Sequence, residues 1–188
     1  MARCYSVRMA KRQTNKRARV PCIILLSDAR NDAALERTLA RLPRGSALVF
    51  RHYHLPLVAR RQRFDRLKRI ACAHGVRIIG ARTPRCWRAD GVYGSPREVA
   101  GCRGLRLATA HSLAEIGAAV RARADAVLLS PVFPTRSHPG GAVLGPVRFS
   151  GMARQSPIPV IALGGMTARR AARLPVHGWA AIDGLNHR

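Results

Sequence analysis

The sequence has 188 residues, 47% hydrophobic and 23% charged, a balance that excludes a disordered chain and fits one domain with its own core. No apolar run approaches the ~18 residues that a bilayer-crossing helix needs. Thirty-four Lys and Arg face nine Asp and Glu, giving a formal net charge of +25.

In chain order, residues 1–20 read as a flexible basic arm, densest from Lys11 to Arg19 and without an acid. From residue 21 to 188 apolar runs alternate with helical periodicity, as in one barrel domain. Cys22–Leu26 is the first buried strand. A helix from Asn31 to Leu42 puts Leu35, Leu39 and Leu42 on one face, and Pro43-Arg-Gly ends it. Ala47–Phe50 is the second strand, followed by a helix from Pro56 to Ala73 that Gly75 stops. Val76–Ile79 is the third strand. Ala81 to Arg88 is short and proline-interrupted, a degraded third helix. Gly91–Tyr93 and Leu105–Thr109 are the fourth and fifth strands. Ser112 caps a helix running through Ala124, with Glu115 completing a capping box. Ala126–Leu129 is the sixth strand, Pro131–Gly145 a Gly/Pro-rich loop, and Pro146–Gln155 a helix. Val160–Leu163 is the seventh strand, Thr167 caps a helix to Leu174, and Trp179–Ile182 is the eighth strand.

Eight strands, most followed by helices, imply an α/β fold with a parallel sheet covered on both faces. The closed solution is a TIM (βα)8 barrel, and the open doubly wound sheet is the alternative. No Gly-x-Gly-x-x-Gly follows the first strand, so a dinucleotide site lacks support. The chain is short against the ~250 residues of a typical barrel, and a last helix is missing. The barrel surface so exposed is one that a second copy could cover, so a homo-oligomer stays open beside a monomer.

The arginine excess is spread along the chain, only Lys11, Lys16 and Lys68 are lysines, and aromatics are 5%. Base stacking therefore has few platforms, and nucleic acid ranks last among the partners. Five cysteines, an odd number with no Cys-x-x-Cys, disfavour disulfides and zinc and point to a reducing cytoplasm.

Barrels place chemistry at the C-terminal ends of their strands. That rule selects Asp28, Arg51, Tyr93, Thr109, His111, the Ser130–His138 loop, Gly164-Gly165 and Asp183. Gly164 and Gly165 read equally as a phosphate loop and as a tight strand-to-helix turn. His111 is a candidate acid or base, or a histidine that shapes its loop. Arg51 is a phosphate clamp or one more surface arginine. Among nine carboxylates Glu98 is the candidate Mg²⁺ ligand, whereas Asp90 caps or turns before Gly91. His52 and His54 read as loop residues.

Several segments together resemble the thiamine phosphate synthase and TenI superfamily. Leu25-Leu-Ser-Asp-Ala-Arg is similar to its Thr-Asp-Arg strand end, and Ala89-Asp-Gly-Val-Tyr to its Ala-Asp-Gly-Val-His. Ala108-Thr-Ala-His-Ser-Leu-Ala-Glu resembles its Ser-x-His-Ser/Thr-x-x-Glu. Ser130-Pro-Val-Phe-Pro-Thr-Arg-Ser-His resembles Gly-Pro-Val-Phe-Pro-Thr-x-x-Lys, and Ile158-Pro-Val-Ile-Ala-Leu-Gly-Gly-Met-Thr resembles Ile-Pro-Val-x-Ala-Ile-Gly-Gly-Ile.

The resemblance implies thiamine biosynthesis. A synthase joins hydroxymethylpyrimidine diphosphate and a thiazole phosphate, with Mg²⁺ helping pyrophosphate leave. Arg51 then matches a diphosphate contact, and Thr109 and Thr135 match substrate-binding positions. Gly164 and Gly165 match the thiazole-phosphate loop. Glu98 falls near a magnesium aspartate. The chain departs from the pattern at Val49 for Gln, Tyr53 for Lys, Gly80-Ala-Arg for an Asn-Asp pair, His138 for a diphosphate-binding Lys and Asp183 for Ser. The alternatives to a divergent synthase are a TenI-like thiazole tautomerase using His111 and a non-catalytic barrel binding a phosphate ligand.

Overall fold

The computed structural model describes residues 20–136 and 140–185. The expected arm, apart from Val20, and His138 lie outside the described residues.

Eight parallel strands close into a barrel in chain order: β1 Ile23–Leu26, β2 Ala47–Phe50, β3 Arg77–Ala81, β4 Gly91–Gly94, β5 Leu105–Ala110, β6 Ala126–Leu129, β7 Val160–Ala162 and β8 Gly178–Ala181. Closure is made by β1 on β8, with Ile24 opposite Ala180. The closed form is therefore the one adopted. Strand residues are buried on both faces because alternate side chains go to different cores. Ile24, Leu26, Val49, Ile79, Leu107, Leu128 and Ile161 fill the barrel interior. Leu25, Leu48 and Ile78 pack outward on α1 (Asp32–Arg41) and α2 (Leu57–Ala73) through Leu35, Leu39, Phe64 and Leu67. Burying each such side chain stabilises the fold by roughly 1.5–3 kcal/mol. Across the barrel, Val127 and Leu129 pack on Ile116 of α4 (Leu113–Arg121) and on Phe149 and Met152 of α5 (Gly145–Arg154).

The third helix is reduced to a single 3₁₀ turn, Arg85–Trp87. Trp87 takes its place, 5% exposed, with its ring 5.2 Å from Phe64. The sequence reading left the stretch after β4 without a helix. A short α3 (Pro96–Val99) stands there. Its signal is Ser95-Pro-Arg-Glu98, a capping box with proline in the first turn. α6 (Ala168–Ala171) is shorter than the helix expected to reach Leu174, and no helix follows β8 among the described residues. No helix among the described residues is long and apolar enough to cross a membrane.

Candidate functional site

A cavity of about 810 Å³ opens at the C-terminal ends of the strands. Arg51, Thr109, His111, Thr135, Gly164 and Gly165, selected separately from the sequence, all line it. Glu98 is not among the lining residues.

His111 follows β5 and precedes α4. Its main-chain N–H donates to Glu115 Oε2 at 2.6 Å, while Ser112 Oγ accepts the Glu115 N–H at 3.2 Å. Glu115 thus closes on the residue before the cap, not on Ser112 itself as the capping-box pattern predicts. The ring is aimed by its Nδ1, 2.8 Å from the carbonyl oxygen of Ser130. A carbonyl only accepts, so Nδ1 carries the proton in this bond. In the neutral ring Nε2 is then the basic nitrogen.

Gly164 and Gly165 have φ of +96° and +60°. The loop after β6 also presses on them: a Cβ on Gly164 would lie 2.7 Å from Pro131 Cα, and one on Gly165 2.5 Å from the Pro134 oxygen. Val132 and Phe133 donate to the Leu163 and Gly164 oxygens at 2.9 and 3.1 Å. The glycines are therefore required for close packing of two loops, and they also form cavity wall. Arg170, which the sequence reading did not single out, joins them. Its guanidinium lies 4.5 Å from the Phe133 ring and donates to the Gly165 oxygen.

A chain of alternating charges crosses the mouth from β8 to β2. Asp183 is 3.8 Å from Arg30, Arg30 is 2.9 Å from Asp28, and Asp28 is 3.4 Å from Arg51. Burial works to raise the Asp28 carboxyl, but the Arg30 hydrogen bond and the charges of Arg30 and Arg51 outweigh it and lower it. Asp183, which stands where a serine was expected beside the phosphate loop, has Arg30 as its counter-ion.

His52 lies in the loop after β2, as read from the sequence, but it is buried there. It is 1% exposed, has φ +26° and stacks on Phe50 at 4.7 Å. Its Nδ1 is 2.8 Å from Ser27 Oγ and its Nε2 2.8 Å from Asp32 Oδ1. The Asp32 carboxylate only accepts, so Nε2 carries the ring proton, Nδ1 of the neutral ring accepts from the Ser27 hydroxyl, and Ser27 Oγ accepts the Arg51 main-chain N–H at 2.8 Å. Burial, the largest influence, lowers the His52 pKa and keeps the ring neutral. Arg60, on the buried stripe of α2 with Phe64, Leu67 and Ala71, donates to the Arg51, Ala81 and Arg82 oxygens at 3.0, 2.7 and 3.0 Å. A charged residue in register with that apolar stripe is the signal that finds it in the sequence. Tyr93 lines the cavity, and burial pushes its phenol up to about 12, so it stays a donor.

All nine carboxylates lie among the described residues, and each is engaged. Asp28, Asp32, Glu36, Asp65, Glu98, Asp125 and Asp183 pair with arginines. Asp90 and Glu115 accept main-chain N–H groups. Glu98 Oε1 is 2.9 Å from Arg82 Nε, and its Oε2 accepts from Ser95 N and Oγ at 2.7 and 2.9 Å. No three His, Cys, Asp or Glu side chains gather as a ligand set among the described residues. The resemblance implies Mg²⁺, but the residues here do not fit that ion: the expected ligand Glu98 is paired with the Arg82 guanidinium.

Residues 99–185 match the family described as thiamine monophosphate synthase. A stretch of 78 residues is 35% identical to the putative thiamine-phosphate synthase 2 of Aquifex aeolicus, and it spans 42% of this chain and 42% of that relative. Over this C-terminal half the chain is similar to the thiamine monophosphate synthase/TenI family. The barrel also matches a thiamine phosphate pyrophosphorylase from Pyrococcus furiosus (TM-score 0.73, 21% identity, 88% of this chain and 87% of that one). A second match is the thiamine phosphate pyrophosphorylase from Bacteroides thetaiotaomicron (TM-score 0.57, 14% identity, 87% and 82%). At those identities the likeness establishes the fold. The family match begins at the end of α3 and takes in His111, Thr109, Thr135 and Gly164-Gly165, while Arg51, Arg82 and Glu98 precede it.

Proposed function

We propose that this barrel, a cytoplasmic domain over residues 21–188 behind a basic arm, binds a thiazole phosphate and that His111 moves a proton on it. That is a TenI-type tautomerase activity. The observation that carries the reading is the His111 Nδ1 bond to the Ser130 carbonyl, which leaves Nε2 as the nitrogen free to act as base on the cavity wall. Nε2 takes a proton from one position of the substrate, and the resulting imidazolium, held by the same carbonyl, returns one at another. No net charge or redox change accompanies the exchange. Gly164, Gly165, Thr135 and Arg170 line the part of the cavity suited to the phosphate. The reading needs no metal, in keeping with an ion-paired Glu98.

The test is NMR of the thiazole phosphate in D₂O with the purified chain. Solvent deuterium entering the substrate, and lost in His111→Gln, is the expected result. Equal exchange in both proteins removes His111 from the chemistry.

A synthase is the second reading, favoured by Arg51 and Thr109 sharing that cavity with the glycine loop. It would join the pyrimidine diphosphate to the thiazole phosphate and release pyrophosphate. Thiamine phosphate formed from the two precursors above a protein-free control puts it first.

A further inference from the structure

Tyr93 stands on the cavity wall at the end of β4. Its ring packs against the cluster that fills the barrel interior, as Leu163 and Ile182 do, and all three line the cavity. A largely buried phenol ordinarily spends its hydroxyl on a protein partner. Among the described residues the Tyr93 hydroxyl has none. Two other hydroxyls of the cavity are engaged: Thr109 Oγ1 donates to the Gly94 oxygen at 3.4 Å, and Ser130 Oγ lies 3.4 Å from His111 Nδ1. Burial is the largest influence on the phenol and pushes it up to about 12, against the charge of Arg51. At neutral pH Tyr93 therefore keeps its proton and has a hydrogen bond to give. β4 is paired with β5, Tyr93 standing opposite Leu107, and His111 follows the end of β5 on the same cavity wall.

We propose that Tyr93 is a second catalytic residue of this site, a fixed neutral donor whose hydroxyl binds the ring nitrogen of an azole ligand while His111 works on a C–H bond conjugated with that nitrogen. The inference rests on the tautomerase reading. When His111 Nε2 takes the proton, the C–H bond breaks and its electron pair moves through the π-system onto the ring nitrogen. The Tyr93 hydrogen bond strengthens as that nitrogen gains charge. The phenol keeps its own proton, and the imidazolium returns one at the second position, so atoms, charge and electrons balance without an oxidant or a metal. A donor already in place on an apolar wall stabilises charge that develops only in the transition state. The motif that Ala89-Asp-Gly-Val-Tyr resembles ends in histidine. An imidazole changes charge near neutral pH, whereas this phenol donates and does not compete with His111 for the proton.

The test uses the full chain with thiazole phosphate, following deuterium exchange by NMR in D₂O and affinity by calorimetry. Tyr93→Phe keeps the ring and removes only the donor. Its exchange rate at saturating ligand is expected to fall about 10²-fold, with Kd within about threefold of the wild type. Tyr93→His, which restores a donor, should recover about tenfold of that loss. Urea melts of both variants check that the barrel is intact. Exchange at the wild-type rate in Tyr93→Phe overturns the proposal and leaves the His111 reading standing. Rate and affinity lost in parallel, in a variant that melts as the wild type does, make Tyr93 a ground-state contact and overturn it as well. A Tyr93→His protein no faster than Tyr93→Phe also counts against a donor. No exchange by the wild type removes the tautomerase reading, and this inference with it.

Discussion

The two halves of the barrel mouth are built on opposite plans. On the β1–β3 side, side chains satisfy one another: Ser27, His52, Asp32 and Arg63 form one hydrogen-bonded line, and Arg60 spans three carbonyls. On the β5–β8 side the wall is made of backbone and glycine, and the His111 ring is fastened through only one of its nitrogens in the contacts found. The first plan gives rigidity and fixed charge. The second gives room for a ligand and a nitrogen able to accept a proton. Substitutions on the two sides should therefore separate stability from chemistry.

The largest effect is expected on the open side. His111→Ala should cost about 10²–10⁴-fold in kcat while leaving unfolding unchanged, as removal of a general base does. Turnover assays with parallel denaturant melts check both halves of that statement. The converse is Arg60→Met, which strands the Arg51, Ala81 and Arg82 carbonyls without their donor. A loss of about 3 kcal/mol in urea unfolding is expected. An Arg60→Met protein as stable as the wild type would remove the clamp from the account.

Gly165→Ala lies between these extremes, because its strain is in the wall of the cavity. With φ +60° and only 2.5 Å to the Pro134 oxygen, a methyl group must displace the loop after β6. About 1–3 kcal/mol of stability should go with it, and phosphate titration followed by NMR should show weakened binding. Unaltered affinity would mean that this loop does not hold the phosphate.

The smallest effect is a pH dependence confined to the saturated side. His52 is held neutral by burial, so its folded pKa lies below the ~6.5 of an exposed histidine. The unfolded chain then binds the extra proton. Stability is full above about pH 6.5 and falls as pH drops below it toward the folded pKa. Asp32 behaves differently. Burial works to raise it, but His52 and Arg63 outweigh burial and lower it. Its contribution is present above the ordinary carboxylate range and is lost only in stronger acid. Thermal melts between about pH 7 and pH 5 should slope for the wild type and flatten for His52→Asn. Identical slopes would assign the acid sensitivity to another group.

Much of the cavity wall was legible because strand ends are easy to read. Apolar runs such as Ala126–Leu129 mark where strands stop, and in a barrel that point is the mouth. Thr109, His111, Thr135 and Gly164-Gly165 followed from that rule together with the ordered motifs. The Glu98 pairing was not legible, because a carboxylate near a motif position looks the same whether it faces a cation or an arginine. Its partner Arg82 is sixteen residues away in the chain, and that separation hides the pair. His52 does lie in a loop, but its burial could not be read from the polar neighbours Arg51, Tyr53 and His54. Only the fold brings Ser27 and Asp32 to its two nitrogens.

By itself, then, the sequence determined the alternation of strands and helices, the degraded third helix as a departure from a full barrel, and the strand-end residues open to chemistry. These depend on local periodicity and turn chemistry, which neighbouring residues carry. The tertiary structure decided which charges cancel. With nine acids and 34 basic residues, a carboxylate's role depends on which guanidinium closes on it. Coulombic partners are chosen by distance in space, so Asp183 meets Arg30 and Glu98 meets Arg82 only once β1, β3, β4 and β8 stand in one ring.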